Sequence, residues 1–252
     1  MNFDKDVSQQ QLLTNIFIIS WAGQHENAIF IANQISFVTN KITIVYSDPN
    51  SDFLLDVPCV LIKRPNDLFW GDKFEASLHA CKDDFMLVIH ADCKCDDWKG
   101  LVIRCNEIFS KNKDIGVWAP KIEGTPYYLE RTKIASIEYN ALSLSLVAQT
   151  DGIVFALSLP VVNRMKKINY MNNKYGWGID WIFCCTAYAL NLMVVVDEKH
   201  TVIHPLHRGY DTRQAVMEMN TFLKQLTTVE FIQYRLLSSY LKLSDIKTIA
   251  KV

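Results

Sequence analysis

The chain has 252 residues, half of them hydrophobic and 21% charged, which suits a soluble globular protein of one large or two small domains. Lysines and arginines number 26 against 27 aspartates and glutamates, a formal net charge of −1. That balance argues against nucleic acid as a partner, since nucleic-acid-binding domains carry a basic excess. In chain order, "IFIIS" (16–20) has the length and composition of a strand, and "ENAIFIANQISFV" (26–38) has apolar residues at helical spacing. "ITIVYSDPNSD" (42–52) is a second strand ending in a turn cluster, and "CVLIK" (59–63) is a third. "WGDKFEASLHAC" (70–81) predicts a helix, "DFMLVIH" (84–90) a strand, and "DDWKGLVIRCNEIF" (96–109) a helix capped by Asp96 or Asp97. "IGVWAPKI" (115–122) is a further strand.

The second half is more mixed. "TPYYLERTKIASIEYN" and "SLSLVAQ" read as strands or connecting loops, and "SLPVVNRM" as a short helix with Ser158 as cap and Pro160 in its first turn. "GWGIDWIFCCTAYALNL" is a glycine-rich turn leading into a helix, followed by two short strands, "MVVVD" and "HTVIHP". From Thr212 onward one or two amphipathic helices are expected. Strands alternating with helices over the first 120 residues predict an α/β fold with a mostly parallel sheet flanked by helices. Such sheets bind ligands at the carboxyl ends of their strands. Ser20, Trp21, Asp48 and Asp92 all fall there.

The start, "MNFDKDVSQQ", is polar and acidic, without an apolar stretch behind a basic flank, and the seven cysteines are irregularly spaced. Both point to reduced thiols in a cytoplasmic setting. The longest apolar window, "ALSLSLVAQTDGIVFALSLPVV", is interrupted by Gln149, Asp151, Gly152 and Pro160 and makes a poor membrane span. "CKC" (93–95) has no second cysteine pair at zinc spacing, so Cys93 and Cys95 read as loop residues.

The order of these parts resembles the GT-A class of nucleotide-sugar glycosyltransferases, most nearly its large inverting family. "IFIISWAGQHENAIFIANQI" is similar to that family's opening strand and helix, and "ITIVYSDPNSD" to its "VVDDGSTD" stretch. "FMLVIHADCKCDDW" looks like its "DxD" segment. "TDGIVFALSLPVV" resembles the part lining the donor sugar, "GWGIDWIFCCTAYALNLMVVV" the acceptor-side element, and "HTVIHP" the closing strand with its histidine. The resemblance runs from about residue 15 to residue 210 and implies a glycosyltransferase domain over 1–210, with 211–252 as C-terminal amphipathic helices.

The resemblance implies roles. Transfer from a nucleotide diphosphate sugar (a UDP-sugar is favoured) needs the leaving group's charge neutralised by a divalent cation, Mn²⁺ or Mg²⁺. Asp92 matches the second acid of "DxD" and His204 the family's metal-binding histidine, with His207 as a fallback. His90 stands where the first acid is usual; it is a candidate for the nucleotide, as are Ser20, Trp21, Asp48 and Lys73. Asp72 and Lys73 open a helix whose plain alternative is a solvated face. Asp151, Trp177 and Gly178 are candidates for the sugar and acceptor. Asp180, at a helix start whose positive field favours its ionised form, is the candidate general base. Ile179 and Trp181 flank it, so no second acid lies beside it in sequence. The acceptor implied is a carbohydrate or lipid-linked glycan hydroxyl, in the assembly of a polysaccharide.

Two other readings stay open. A non-catalytic nucleotide-sugar or glycan-binding domain is compatible with His90. A sugar nucleotidyltransferase should carry a basic glycine-rich loop after the first strand, and "SWAGQHEN" has one glycine and no basic residue but His25. The C-terminal helices place Arg213, Lys224, Arg235, Lys242, Lys247 and Lys251 among apolar residues, diluted by Glu218 and Glu230. They would pack on the domain, form a homodimer or lie peripherally on a membrane.

Overall fold

Successive residues of the first strand, β1 (Asn15–Trp21), face two different cores. Ile16 and Ile18 join the apolar residues of α1 (His25–Ser36) and α3 (Trp98–Lys111). Phe17 and Ile19 join those of α2 (Phe69–Ala80), α5 (Leu159–Met165) and α6 (Ile179–Ala189). A strand covered on both faces has no polar side. For that reason β1, β2 (Ile42–Ser47) and β4 (Met86–His90) read in sequence as nearly unbroken apolar runs.

The remaining strands are β3 (Val60–Lys63), β5 (Ile115–Glu123), β6 (Lys133–Tyr139), β7 (Leu142–Val147), β8 (Val154–Leu157) and β9 (Met193–Ile203). The computed structural model describes residues 14–49, 59–82, 85–139, 142–205 and 210–249. Within them the nine strands form one sheet in the order β3-β2-β1-β4-β8-β5-β9-β7-β6. β3, β2, β1 and β4 are parallel, as the strand–helix alternation predicts. β8 enters antiparallel between β4 and β5, and β5 is parallel to β9. β6 and β7 form a hairpin whose inner strand runs antiparallel to β9. A four-residue helix, α4 (Leu129–Thr132), precedes the hairpin. The fold is α/β, with the parallel character concentrated in its first half.

Two local expectations change. The two strands expected around "DEKH" are one strand, β9. Its register against β5 shifts where Pro120 pairs with Asp197 and Lys121 with Thr201, so the polar residues 198–200 form a bulge. Pro120 has no N–H to offer a ladder there. Glu230, expected to dilute a basic surface, is instead 3% exposed. It accepts from Arg164 Nε and Nη2 (both 2.8 Å), from Thr186 Oγ1 (2.8 Å) and from the Thr227 N–H (2.7 Å).

That ion pair joins α5 to the C-terminal helices, α7 (Thr212–Phe222) and α8 (Thr228–Ile249). Beside it, Leu237 and Leu241 of α8 pack on Trp181 and Cys185 of α6. Asp97 caps α3, accepting from the Gly100 N–H at 2.7 Å. Among the described residues, no helix is long and apolar enough to cross a membrane. Removing one partner of a buried pair leaves the other charge uncompensated, which costs about 3–5 kcal/mol. Arg164→Ala should therefore lower stability by that much in urea unfolding, and a loss under about 1 kcal/mol would mean the pair is hydrated rather than buried.

Candidate active site

β1, β2 and β4 are parallel neighbours, so their carboxyl ends open on one edge of the sheet. Ser20 is buried near the end of β1, and its Oγ lies 2.9 Å from His25 Nδ1. His25 Nε2 lies 3.0 Å from Asp48 Oδ2, just beyond β2. With Asp48 ionised, the imidazole Nε2–H donates to the carboxylate and Nδ1 accepts from the serine hydroxyl. His25 thus links two of the expected nucleotide residues, and it was not singled out for that role in the sequence. Its only signal was its place at the start of α1.

Lys73 is not on a solvated helix face: it is 3% exposed, and its Nζ donates to Ser47 Oγ at 2.9 Å. Burial pushes its ammonium down to about 8, against the opposing pull of Asp72. Asp72 takes two hydrogen bonds from Arg64, at 2.6 and 2.8 Å.

His90 ends β4 and faces Trp21 edge-on, with ring centroids 6.2 Å apart. The Trp70 indole N–H donates to its Nε2, and its ring also hydrogen-bonds the backbone of Gly152. Burial, and then the neighbouring His204, push the imidazole down to about 3, so His90 is neutral. Trp70 is a further partner that the sequence did not mark. Gly176 closes over it: at φ +77°, an added Cβ would lie 2.3 Å from the indole ring.

Asp92 lies two residues further on, in the turn after β4. Its Oδ2 lies 3.5 Å from His204 Nε2. Burial raises its carboxyl above the usual range, and His204 works the other way. The two come together through the backbone. Lys94 and Ile203 form an antiparallel bridge with N–H to carbonyl distances of 2.9 Å in both directions. "CKC" is therefore the segment that joins the end of β9. His90, Asp92 and His204 offer ligand atoms within 4.8 Å of one another, an arrangement that could hold a metal ion. The donor set of imidazoles and one carboxylate suits Mn²⁺ better than Mg²⁺. His90 Nε2 is already engaged by Trp70, which leaves Asp92 and His204 as the readier pair; His204 Nδ1 is buried without a partner among the described residues. His207 lies outside the described residues.

The expected base stands in the first turn of α6. Asp180 Oδ2 accepts from Gln149 Nε2, and Oδ1 from the Trp181 N–H, both at 2.9 Å. Burial and then Asp151 push its carboxyl up to about 7. The helix field expected to favour ionisation is outweighed. Asp151, from the loop before β8, brings a second carboxyl near Asp180 and accepts from Thr125 Oγ1. A Cβ at Gly152 would lie 3.8 Å from the Asp180 Cβ, so the loop that touches His90 also touches Asp180. Gly178 is buried at the N-cap of α6 against Met219 and Leu223. Trp177 Nε1 donates to Tyr210 Oη at 2.9 Å, and Tyr210 stacks on Tyr175.

Two clefts, of about 430 and 510 Å³, lie elsewhere: one is lined by Arg104, Ser145 and Glu198, the other by Glu75, Tyr170 and Glu218. Neither is lined by His90, Asp92, Asp180 or His204; chemistry rather than depth locates the site.

The carboxyl of Asp180 has a folded value near 7 against an ordinary 3.8. Between these values the folded chain binds the proton that the unfolded chain has lost, so stability falls as pH rises through this window. Asp180→Asn should remove that fall. The variant should be more stable than the wild type in urea unfolding at about pH 8, by roughly 2–4 kcal/mol, and match it near pH 4. Equal differences at both pH values would place the carboxyl in solvent.

No protein-family profile matches this chain, and no curated protein sequence does. Solved structures do. The chain is similar to the mannosyltransferase PcManGT from Pyrobaculum calidifontis, in complex with GDP-Man and Mn²⁺. The identity is 11% and the TM-score 0.58, covering 90% of this chain and 69% of that one. It is similar to S. aureus TarS 1–349 in complex with UDP-GlcNAc, at 12% identity and TM-score 0.57, covering 90% and 72%. It spans 43% of a longer TarS structure. GalNAc-T7 with UDP, GalNAc and Mn²⁺ is similar over 84% of this chain and 48% of its own, at 12% identity and TM-score 0.51. With the strand order and the site at the strand ends, these likenesses show that the chain has the GT-A-like fold of nucleotide-sugar glycosyltransferases.

Proposed function

We propose that this chain is a glycosyltransferase that moves a hexose-type sugar from a nucleotide diphosphate donor, with a UDP-sugar favoured, to a hydroxyl of a carbohydrate or glycolipid. The catalytic domain covers 1–210, and 211–252 form its helical extension. The observation that carries the reading is the placement of Asp92 beside His204, on the same edge of the sheet as Ser20 and Asp48. The donors held by PcManGT and TarS support the substrate class.

Ser20, Trp21, Asp48, Lys73 and His90 line the nucleotide side in this reading. Asp92 and His204 would hold a divalent cation, which would supply charge neutralisation for the diphosphate. Asp151, Trp177 and Gly178 border the sugar and acceptor. Asp180 accepts the proton of the acceptor hydroxyl as its oxygen bonds to the anomeric carbon and the bond to the diphosphate breaks. One displacement inverts that carbon. A base titrating near 7 is suited to this work, since the ionised fraction and the basicity are both useful at neutral pH.

A non-catalytic nucleotide-sugar-binding domain is the second reading, and the engagement of His90 by Trp70 favours it. The two differ in turnover. Melting the protein with UDP- and GDP-sugars, with and without Mn²⁺, should show a rise that needs both nucleotide and metal and that Asp92→Ala abolishes. No rise under any condition would overturn the donor site. With a donor found, Asp180→Asn should keep binding and lower transfer at least about 100-fold, and wild-type transfer should climb with pH through about 7. Binding without turnover in the wild type would favour the second reading. Product analysis showing retained configuration would overturn the single displacement.

A further inference from the structure

α8 is apolar on two opposite faces. The inner face buries Leu237 and Leu241. On the outer side Phe231, Ile232, Leu236, Leu243 and Ile246 are each 49–61% exposed. At about 100° per residue, Ile232, Leu236, Leu243 and Ile246 fall within an arc of about 80°, with Ser239 among them. A helix that is apolar all round ordinarily buries its whole surface. Here one face is covered and the other forms an exposed apolar stripe interrupted only by Ser239, the kind of patch that marks an interaction site.

The charges say what fits it. Arg235 and Lys242 are exposed on the arc next to the stripe. The two acids of α8 both turn away from it: Glu230 pairs with Arg164, and Asp245 pairs with Arg131 at 2.7 and 3.0 Å. The outer face is therefore apolar and basic, with every acid of the helix engaged on the domain side. A second copy of the chain pairing through this face would set Arg235 and Lys242 near their own kind with no acid to answer them. A peptide helix would need an acidic flank of its own. An anionic lipid surface answers both features, taking the apolar stripe below its headgroups and the cations among them. The helix is long enough but not apolar enough to cross a bilayer, so contact with lipid leaves it in the plane of the surface.

We propose that the outer face of α8 docks this chain, reversibly and in plane, on anionic lipid. The test is cosedimentation of the full chain with vesicles of phosphatidylcholine alone or mixed with phosphatidylglycerol. The chain should pellet with the anionic vesicles only, and raising salt from about 50 to about 500 mM should weaken binding at least tenfold. The pair Arg235→Glu and Lys242→Glu should weaken it by about tenfold or more. The pair Leu236→Ser and Leu243→Ser should do the same. Both double variants should melt within about 2 °C of the wild type, because these side chains lie outside the cores. They should also keep any nucleotide- and metal-dependent rise in melting temperature, which separates this inference from the proposed activity. A wild type that stays in the supernatant with anionic vesicles would overturn the proposal. So would a dimer in sedimentation velocity that the serine pair dissolves, which would assign the face to a second copy.

Discussion

Two backbone hydrogen bonds between Lys94 and Ile203 hold the candidate site together. They fasten the loop after β4 to the end of β9 and so bring Asp92 to His204, residues far apart in the chain. A backbone bridge is indifferent to which side chains it carries. The conditions it needs lie around it. The His204 N–H is received by the Glu123 carbonyl at 2.9 Å. Gly124 sits at φ +83°, where an added Cβ would lie 2.1 Å from the His204 carbonyl oxygen. Only glycine lets the end of β5 approach that strand end so closely. The insertion of β8 beside β4 does the matching work on the other side, carrying Gly152 to His90 and Asp151 towards Asp180.

Charge is handled differently in the scaffold and at the site. In the scaffold, buried ions are neutralised by opposite ones: Arg164 with Glu230, and Arg104 with Asp197 at 2.7 Å. At the site the arrangement is less comfortable. Asp180 meets Asp151 rather than a cation, and its titration is pushed to about 7. His90 is held neutral, and Lys73 is buried on a serine hydroxyl. Each of these costs stability, and Asp180 and Lys73 are left close to changing their protonation. Such groups cluster where chemistry is done. The links Ser20–His25–Asp48 and Trp70–His90 also fix side-chain orientation in advance, as a site on strand ends requires.

The elements were legible because periodicity records burial. β1 and β4 are apolar throughout because both their faces are covered, while α1 and α3 show one apolar face each. The second half was less legible. β9 carries a polar bulge that looks like a break between two strands, and the inward turn of Glu230 leaves no mark in composition. Asp97 as a cap was readable, since capping needs only local spacing.

The sequence by itself determined the α/β alternation, the parallel first half and the polar residues at the strand ends, because a strand that ends in a turn places its last side chains on the carboxyl edge of a parallel sheet. Only the tertiary structure decided which of those residues meet. Asp151 supplies the carboxyl that Asp180 lacks beside it in the chain, Trp70 occupies His90, His25 joins Ser20 to Asp48, and Lys73 is buried instead of solvated. Each contact joins different elements of the fold. Such pairings depend on strand order and register across the sheet, and neither leaves a periodic trace in the residues that form them.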